Sequence, residues 1–204
     1  MALIPILVWL LGEHDALPVR TIQRYDPAVF RRPRKTLDDR IDHAVENFPC
    51  DLLFIHRDGD RLGLEAREEE VRRALGASKT GAAGRPLAVL TVPIRMTEAW
   101  LLFDEGSIRS AAGRPKGKTE LDLPSIGDCE RIADPKGRLH QSLRTATEKT
   151  GRHLRRFNPD SAVHRVAELI TDYAPLRSLL AFQKLEANLD TALDHFTAGT
   201  RGNA

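Results

Sequence analysis

The chain has 204 residues, 41% of them hydrophobic and 29% charged, which is enough for one sizeable core and too little for two large domains. A net charge of +2 excludes a general polycation, although basic residues are clustered locally. The two cysteines have neither metal-ligand spacing nor a disulfide-rich setting, which indicates free thiols in a reducing cytosol.

The first predicted element is the continuous apolar run from Ile4 to Leu11. It is rich in strand-forming residues and is followed at once by Gly12, Glu13 and His14, which indicates a buried strand with an acidic residue at its carboxyl end. The run is too short to span a bilayer, has no basic leader and precedes no small-residue cleavage site. The sequence therefore predicts a protein that stays in the cytoplasm.

A helix and a second strand follow. Residues from Thr36 to Phe48 have helical apolar spacing, with Thr36 as the N-cap residue and acidic residues in the first turn. The next run, Asp51 to His56, is apolar and predicts a second buried strand. Strand, helix and strand form a βαβ unit, whose parallel strands place their carboxyl ends on one edge of the sheet. On this prediction Glu13 faces the acidic residues that follow the second strand.

Asp58 and Asp60 follow that second strand and are separated by Gly59. A glycine lets the chain turn tightly, so both carboxylates can converge on one divalent cation such as Mg²⁺, which keeps several of its waters. The pair alone is also compatible with a polar turn, with a phosphatase whose first aspartate is the nucleophile, or with a glycosyltransferase that binds a nucleotide-sugar through metal. A calcium EF-hand loop is excluded because Leu62 occupies a ligand position and an apolar strand precedes the loop.

A third strand and a further acidic residue lie downstream. After a charged helix over Leu64 to Leu75, whose glutamates are predicted to form a solvated face, Leu87 to Val92 is predicted as a buried strand that Pro93 ends. Met96 to Asp104 then contains helix formers, and Glu98 lies one turn into that helix. Glu98 is therefore a candidate fourth metal ligand near the same carboxyl edge, with a role in complementing the helix N-terminus as the alternative.

Basic residues and two histidines are candidates for contacts to a phosphate-containing substrate. The basic clusters lie at Arg31 to Lys35, at Arg114 to Lys118 and at Arg152 to Arg156. Arg95, close to Glu98, can pair with a phosphate or with Glu98 itself. His14 and His56 adjoin the two acidic ends and are candidate general bases, although a structural role is the commoner one. Aromatic residues make up only 5% of the chain, which argues against base stacking on single strands.

The C-terminal half is predicted to be helical. Helices are expected over Asp134 to Thr150, Asp160 to Tyr173 and Leu176 to His195, the last with an apolar face that packs on its own domain. The sequence thus predicts one α/β domain over residues 1–196, with a helical extension over roughly 113–196, and a disordered tail over residues 197–204.

The order of apolar strand, Gly-Glu, helix, apolar strand and Asp-x-Asp resembles the Toprim domain of topoisomerases, bacterial primases and overcoming-lysogenization-defect nucleases. In that family the glutamate after the first strand serves acid/base chemistry or binds metal, and the Asp-x-Asp pair holds Mg²⁺. The resemblance implies these roles for Glu13, Asp58 and Asp60. In this chain Gly12 precedes Glu13, whereas a glycine usually follows the Toprim glutamate.

A narrower resemblance covers most of the chain. The segments Arg95 to Asp104, Asp134 to Lys136 and Ala174 to Phe182 are similar to the Toprim-related family called Domain of Unknown Function 4276. Members of that family often look like partners of an ATPase in bacterial defence against phage. The resemblance therefore implies an antiviral nuclease that works with an ATPase of the ATP-binding-cassette or AAA type.

These observations together predict a Toprim-like α/β fold with a mostly parallel sheet, flanking helices and metal-dependent phosphodiester chemistry on nucleic acid. Mg²⁺ or Mn²⁺ is expected at Glu13, Asp58, Asp60 and Glu98, with the first three catalytic. Phosphate contacts are expected from Arg32, Arg34, Arg95, Lys116 and Lys118. The alternative is a non-catalytic partner of the same fold that binds an ATPase or a nucleic acid, and association into an oligomer is compatible with either.

Overall fold

The computed structural model describes residues 2–14, 22–26, 36–82 and 86–201. Its helices and strands are, in chain order, α1 (Leu3–Gly12), α2 (Leu37–Asn47), β1 (Leu52–His56), α3 (Leu64–Ala77), α4 (Lys79–Ala82), β2 (Leu87–Thr91), α5 (Glu105–Ala111), α6 (Pro135–Ala146), α7 (Gly151–Arg155), α8 (Pro159–Leu169) and α9 (Leu180–Arg201). Short 3-10 helices occupy Thr97–Leu101, Ile126–Arg131 and Ala174–Ser178. The chain is therefore mixed α/β and mainly helical.

The residues form two compact units. Unit 1 comprises Met1–Arg20 and Pro93–Phe182, and unit 2 comprises Thr21–Val92 and Gln183–Ala204. Among the described helices, none is both long and apolar enough to cross a membrane.

The N-terminal apolar run is a helix, so the strand predicted from Ile4 to Leu11 is wrong. The buried positions of α1 follow helical spacing, while Val8 on the opposite side is 51% exposed; the buried residues are Leu3, Ile6, Leu7, Leu10 and Leu11. Pro5 is the third residue of the helix, where its missing N–H interrupts no intrahelical hydrogen bond. Without a strand here, the βαβ unit predicted from Ile4 to His56 does not form.

A different strand–helix–strand unit forms in unit 2. β1 pairs with β2 in parallel, with Leu52 opposite Leu87 and His56 opposite Thr91, and α3 lies between them in the chain. The predicted α2 is confirmed. The hydroxyl of Thr36 accepts a hydrogen bond from the backbone N–H of Asp39 at 3.4 Å and so caps it. A small apolar core joins α2, α3 and both strands through Ile41, Ile55, Val71 and Leu90.

The last helix packs on β2 within unit 2, and it runs over Leu180–Arg201 where the prediction had Leu176 to His195 packing on its own domain. Leu185 and Leu189 are buried, and the amide of Asn188 donates a hydrogen bond to the carbonyl of Leu90 at 3.2 Å. Because α9 continues through Arg201, residues 197–201 of the predicted disordered tail are helical. Residues 202–204 of that tail lie outside the described part of the chain.

Unit 1 has a helical core with several aromatic residues. The ring of Trp100 contacts that of Phe182 at a centroid distance of 5.5 Å, and Trp9 contacts Tyr173 at 5.9 Å. The Tyr173 hydroxyl donates a hydrogen bond to the carbonyl of Ala167 at 2.6 Å, and burial raises the pKa of this phenol well above its usual range. These contacts join the 3-10 helix at residues 97–101, α8 and the start of α9 within one core.

Helix starts in unit 1 largely follow the sequence signals. Asp134 caps α6, because its carboxylate accepts the N–H of Gly137 at 2.8 Å and Pro135 occupies the first position. α8 begins at Pro159, one residue before the predicted start at Asp160, and ends at Leu169, before the predicted end at Tyr173. Asn158 is its cap and Asp160 lies in the first turn.

Candidate functional site

The carboxyl ends of β1 and β2 meet at one edge of the small sheet in unit 2. Their pairing extends beyond the strands, because the N–H of Arg57 donates to the carbonyl of Thr91 at 3.2 Å. The chain then turns at Gly59, whose carbonyl accepts hydrogen bonds from the N–H groups of Leu62 and Gly63. Parallel α/β sheets bind ligands at this edge, so the residues of this turn are the first candidates for a site.

Asp58 occupies the beginning of the turn and has a solvent-excluded carboxylate oxygen. Its Oδ1 makes no hydrogen bond to any described residue and lies 3.3 Å from the Nε2 atom of His56. The hydroxyl of Thr91, at the end of the neighbouring strand, is also buried without a hydrogen-bond partner in the described part of the chain. A buried polar atom without a partner is destabilising by about 1–3 kcal/mol, and more if charged. A cation at Asp58 would remove that cost.

Asp60 lies two residues further along the same turn and is exposed. Its φ of 44° is in the left-handed region, which aspartate adopts more readily than most non-glycine residues. The whole Asp58 side chain is 30% exposed, so both carboxylates are accessible from solvent. The structure thus places Asp58 and Asp60 on one turn at the carboxyl edge of the sheet, as predicted.

A pair of arginines and one glutamate support this turn. Arg67 donates from Nε to the carbonyl of Asp58 at 3.0 Å and from Nη1 to Glu70 at 2.6 Å. Arg57 donates to the other oxygen of Glu70 at 2.9 Å. Burial alone would raise the pKa of Glu70, but the hydrogen bonds and charges of Arg67 and Arg57 outweigh it and hold that pKa below its usual range. Glu70 therefore stays ionised and keeps Arg67 fixed against the Asp58 backbone.

Sequence reasoning missed this network. It predicted the glutamates between Glu65 and Glu70 as a solvated face, which is wrong for Glu68, since that residue is buried and contacts Arg72 and Lys184. The i, i+3 spacing of Arg67 and Glu70 was the available signal, since side chains three apart are neighbours on a helix.

Glu13 belongs to unit 1 and follows a helix. It is the C-cap residue of α1, and its carboxylate lies 3.3 Å from the guanidinium of Arg177. That guanidinium also lies over the ring of Trp9, 5.1 Å from its centroid. The adjacent His14 is half-buried. The prediction that Glu13 extends from a strand next to β1 is therefore wrong, because the preceding residues are helical.

Glu98 and Arg95 also lie in unit 1. Glu98 is in the first turn of the 3-10 helix Thr97–Leu101, where Thr97, Ala99 and Trp100 are buried, and its own side chain is half-buried. The helix predicted from Met96 to Asp104 is shorter, a 3-10 helix over Thr97–Leu101, and Asp104 instead caps α5 by accepting the N–H of Ser107 at 2.9 Å. The structure thus assigns the four predicted metal ligands to two units, Asp58 and Asp60 to one and Glu13 and Glu98 to the other.

The predicted phosphate-binding residues differ in their surroundings. Lys116 and Lys118 are exposed on a loop that is held by Glu148, whose carboxylate accepts the N–H groups of Lys118 and Thr119 at 2.8 and 3.1 Å. Arg114 adds an ion pair to Glu148 at 3.0 Å. Arg32 and Arg34, with the rest of their basic cluster, lie outside the described residues.

Groups of three or more histidine, cysteine or acidic residues that could hold a metal ion are absent from the described ranges. Asp58 and Asp60 therefore remain as a two-carboxylate candidate. Comparison of the chain with protein-family models, with curated proteins and with solved structures finds no match.

Proposed function

We propose that the chain carries out metal-dependent phosphodiester hydrolysis on nucleic acid, with Mg²⁺ or Mn²⁺ held by Asp58 and Asp60. The observation that carries the proposal is the solvent-excluded Oδ1 of Asp58, which has no hydrogen-bond partner among the described residues and lies at the carboxyl edge of a parallel strand pair. A buried carboxylate oxygen of this kind fits a hard cation.

The donor set matches the way proteins bind Mg²⁺. This ion is commonly held by one or two carboxylates together with waters and substrate phosphates, so a site of two aspartates is sufficient. When bound, the metal would polarise a phosphodiester and lower the pKa of a bound water. The protein's own contribution is positional, because Arg67 fixes the Asp58 backbone and Glu70 fixes Arg67. His56, 3.3 Å from Asp58, orients that carboxylate from the strand side.

Glu13 and Glu98 enter the proposal as residues to be tested. The role of Glu13 was predicted from its position at the end of a strand, and that of Glu98 from a helix near the same sheet edge. Because α1 is a helix, the first of these reasons no longer holds. Support for a Toprim-like fold and for an ATPase partner in antiviral defence comes from the sequence resemblance. A parallel strand pair whose first strand is followed by Asp-Gly-Asp is consistent with that fold.

A second candidate function is a non-catalytic partner that binds an ATPase or a nucleic acid. It is favoured by the environment of Glu13, which is paired with Arg177 and follows a helix, unlike the catalytic glutamate implied by the Toprim resemblance. On this alternative Asp58 and Asp60 form a structural turn and no metal is needed.

Thermal denaturation with increasing MgCl₂ or MnCl₂ tests the metal site. A ligand that binds only the native state stabilises it by about 2.7 kcal/mol at one hundred times its Kd, which for a chain of this size raises Tm by roughly 5–10 °C. Asp58→Asn and Asp60→Asn should remove this shift. Asp51→Asn is the matched control, since Asp51 is exposed and precedes β1, and it should keep the full shift.

The same variants in EDTA separate metal binding from a structural role. Because the contact of Asp58 Oδ1 in the described residues is the partly exposed His56 at 3.3 Å, Asp58→Asn should change the metal-free Tm little. An unchanged Mg²⁺ response in Asp58→Asn combined with Asp60→Asn would end the metal-site proposal.

Cleavage assays then decide between the two functions. Plasmid, linear duplex and single-stranded substrates should be incubated with Mg²⁺ or Mn²⁺, with and without any ATPase encoded beside this chain. We expect metal-dependent cutting that Asp58→Asn abolishes. If Glu13 transfers a proton, Glu13→Gln should cut about 100-fold more slowly or worse while its Mg²⁺ thermal shift persists. Failure to cut any substrate would favour the binding partner.

A further inference from the structure

Two basic segments that are 30 residues apart in the sequence lie against each other in unit 1. The carboxylate of Glu148 accepts the backbone N–H groups of Lys118 and Thr119 and pairs with Arg114, so the loop from Arg114 to Thr119 is fastened to the turn that precedes α7. Gly117 allows this approach, because a Cβ atom there would lie 3.0 Å from the nearer Glu148 oxygen. The loop lysines are therefore neighbours of the basic residues that follow Glu148.

Apart from Arg114, which pairs with Glu148, six lysines and arginines of these two segments are exposed and have no carboxylate within ion-pair distance in the described part of the chain. They are Lys116, Lys118, Lys149, Arg152, Arg155 and Arg156, which we call the basic surface. Other arginines of unit 1 do lie against acidic groups, such as Arg131 against Asp128 at 3.1 Å and Arg165 against Glu168 at 3.7 Å.

Two of the three acidic residues near the basic surface are neutralised, and the third, Glu120, is exposed without an ion pair in the described residues. Glu148 is paired with Arg114 at 3.0 Å, and its hydrogen bonds to the loop leave it facing inward to that loop. Asp160, at the start of α8, is paired with Lys136 at 3.2 Å. The six cations of the basic surface thus stand against the single unpaired carboxylate of Glu120, and the excess of positive charge concentrates the attraction for a polyanion.

We propose that the basic surface binds the phosphate backbone of a double-stranded nucleic acid. Aromatic side chains on which unpaired bases could stack are few here, an exposed His153 and a half-buried Phe157, so a duplex backbone fits the surface better than a single strand. It also has no large exposed apolar residue, since those among the described residues are Val8, Leu62 and Leu180. A helix that binds a lipid interface needs such residues, which argues against a membrane. This inference depends on the proposed function for one point, that the polyanion is a nucleic acid.

The test is duplex binding measured in EDTA, so that no metal-dependent step contributes. Fluorescence anisotropy with labelled 20-base-pair DNA and RNA duplexes, over a range of NaCl concentrations, gives the affinity and its salt dependence for each source of backbone. The slope of log K against log salt changes by about 0.9 for each phosphate that the protein no longer neutralises.

Three matched double variants remove two positive charges each. Arg152→Gln with Arg155→Gln, and Lys116→Gln with Lys118→Gln, should each weaken duplex binding at least tenfold and reduce the salt slope by about 1.8. Arg131→Gln with Arg165→Gln is the control with the same net-charge change in the same unit, and should alter affinity by less than about twofold. All six side chains are exposed, so the variants should keep the parent circular-dichroism spectrum.

The proposal is overturned if the parent does not bind a duplex at low salt, or if either surface variant binds like the control. It is also overturned if the parent binds vesicles of phosphatidylserine and phosphatidylcholine but no duplex. A surface variant with abolished binding, while the parent cuts nothing with Mg²⁺, would uphold the surface and reject the nuclease. If the surface variants bind and cut the duplex as well as the parent does, the nuclease would be upheld and the basic surface rejected.

Discussion

Glu68 provides the sharpest stability prediction, because it is a buried carboxylate beside an exposed one on the same helix. Its side chain is 8% exposed and contacts Arg72 at 3.0 Å and Lys184 at 3.6 Å, both partners lying in unit 2. Glu69, the next residue, is 57% exposed and contacts Arg73 at 3.5 Å. Glutamine and glutamate have similar helix propensities, so Glu68→Gln and Glu69→Gln compare burial alone.

The expected magnitude follows from the exposure of the partners. Removing one member of a fully buried ion pair costs about 3–5 kcal/mol, whereas exposed pairs contribute about 0–1 kcal/mol. Arg72 and Lys184 remain 55% and 34% exposed, so each regains water when its partner is neutralised. We therefore expect Glu68→Gln to lower the free energy of unfolding by about 2 kcal/mol, between those limits. Glu69→Gln should lower it by less than about 0.5 kcal/mol.

Urea denaturation of the parent and both variants, followed by circular dichroism, measures these changes. Repeating it in 1 M NaCl should remove the small Glu69 effect, since the Debye length there is about 3 Å, and preserve most of the Glu68 effect. A double-mutant cycle with Lys184→Met should give a coupling of about 1 kcal/mol. Equal destabilisation by the two glutamine variants would refute the argument from burial.

Two further predictions concern titratable groups. The hydrogen bonds from Thr119, Lys118 and Arg114 lower the pKa of Glu148 to about 2, below its unfolded value of 4.5. The contribution of Glu148 to stability is therefore full above pH 4.5 and is lost as the pH falls toward 2. The Tm difference between the parent and Glu148→Gln should accordingly shrink from pH 6 to pH 3. A constant difference would contradict this pairing. A thiol reagent should label the exposed Cys50 and leave Cys129 unmodified in the native protein. Burial and the neighbouring acidic residues raise the pKa of Cys129 to about 11, which keeps its thiol protonated. Rapid labelling of both thiols would contradict this.

Local signals in the sequence were enough for several elements. Thr36 with its downstream acidic residues fixes the start of α2, and Asp134 followed by Pro135 fixes the start of α6, because both signals act through hydrogen bonds within one turn. Local signals also predicted the strands β1 and β2 and the turn at Asp58 and Asp60. Their short β-branched or apolar runs end at residues that break strands.

Tertiary structure decided what local signals left ambiguous. A continuous apolar run such as Ile4 to Leu11 satisfies the period of a strand and of a helix equally, and only burial against α8 and its neighbours in unit 1 selects the helix. Pro5 was the one local warning, since proline weakens a strand interior. The burial of Glu68 likewise depends on Lys184, more than 100 residues later, and so could not be read from the helix itself.

The candidate site shows the same division. The sequence by itself determined that Asp58 and Asp60 follow a strand, because spacing along one turn is a local property. It could not determine that Thr91 and Arg67 flank Asp58, or that Glu148 joins two distant basic segments. Those contacts depend on strand pairing and loop packing between residues far apart in the chain. The free energy of such packing depends on both segments together, so it cannot be read from the sequence of either one.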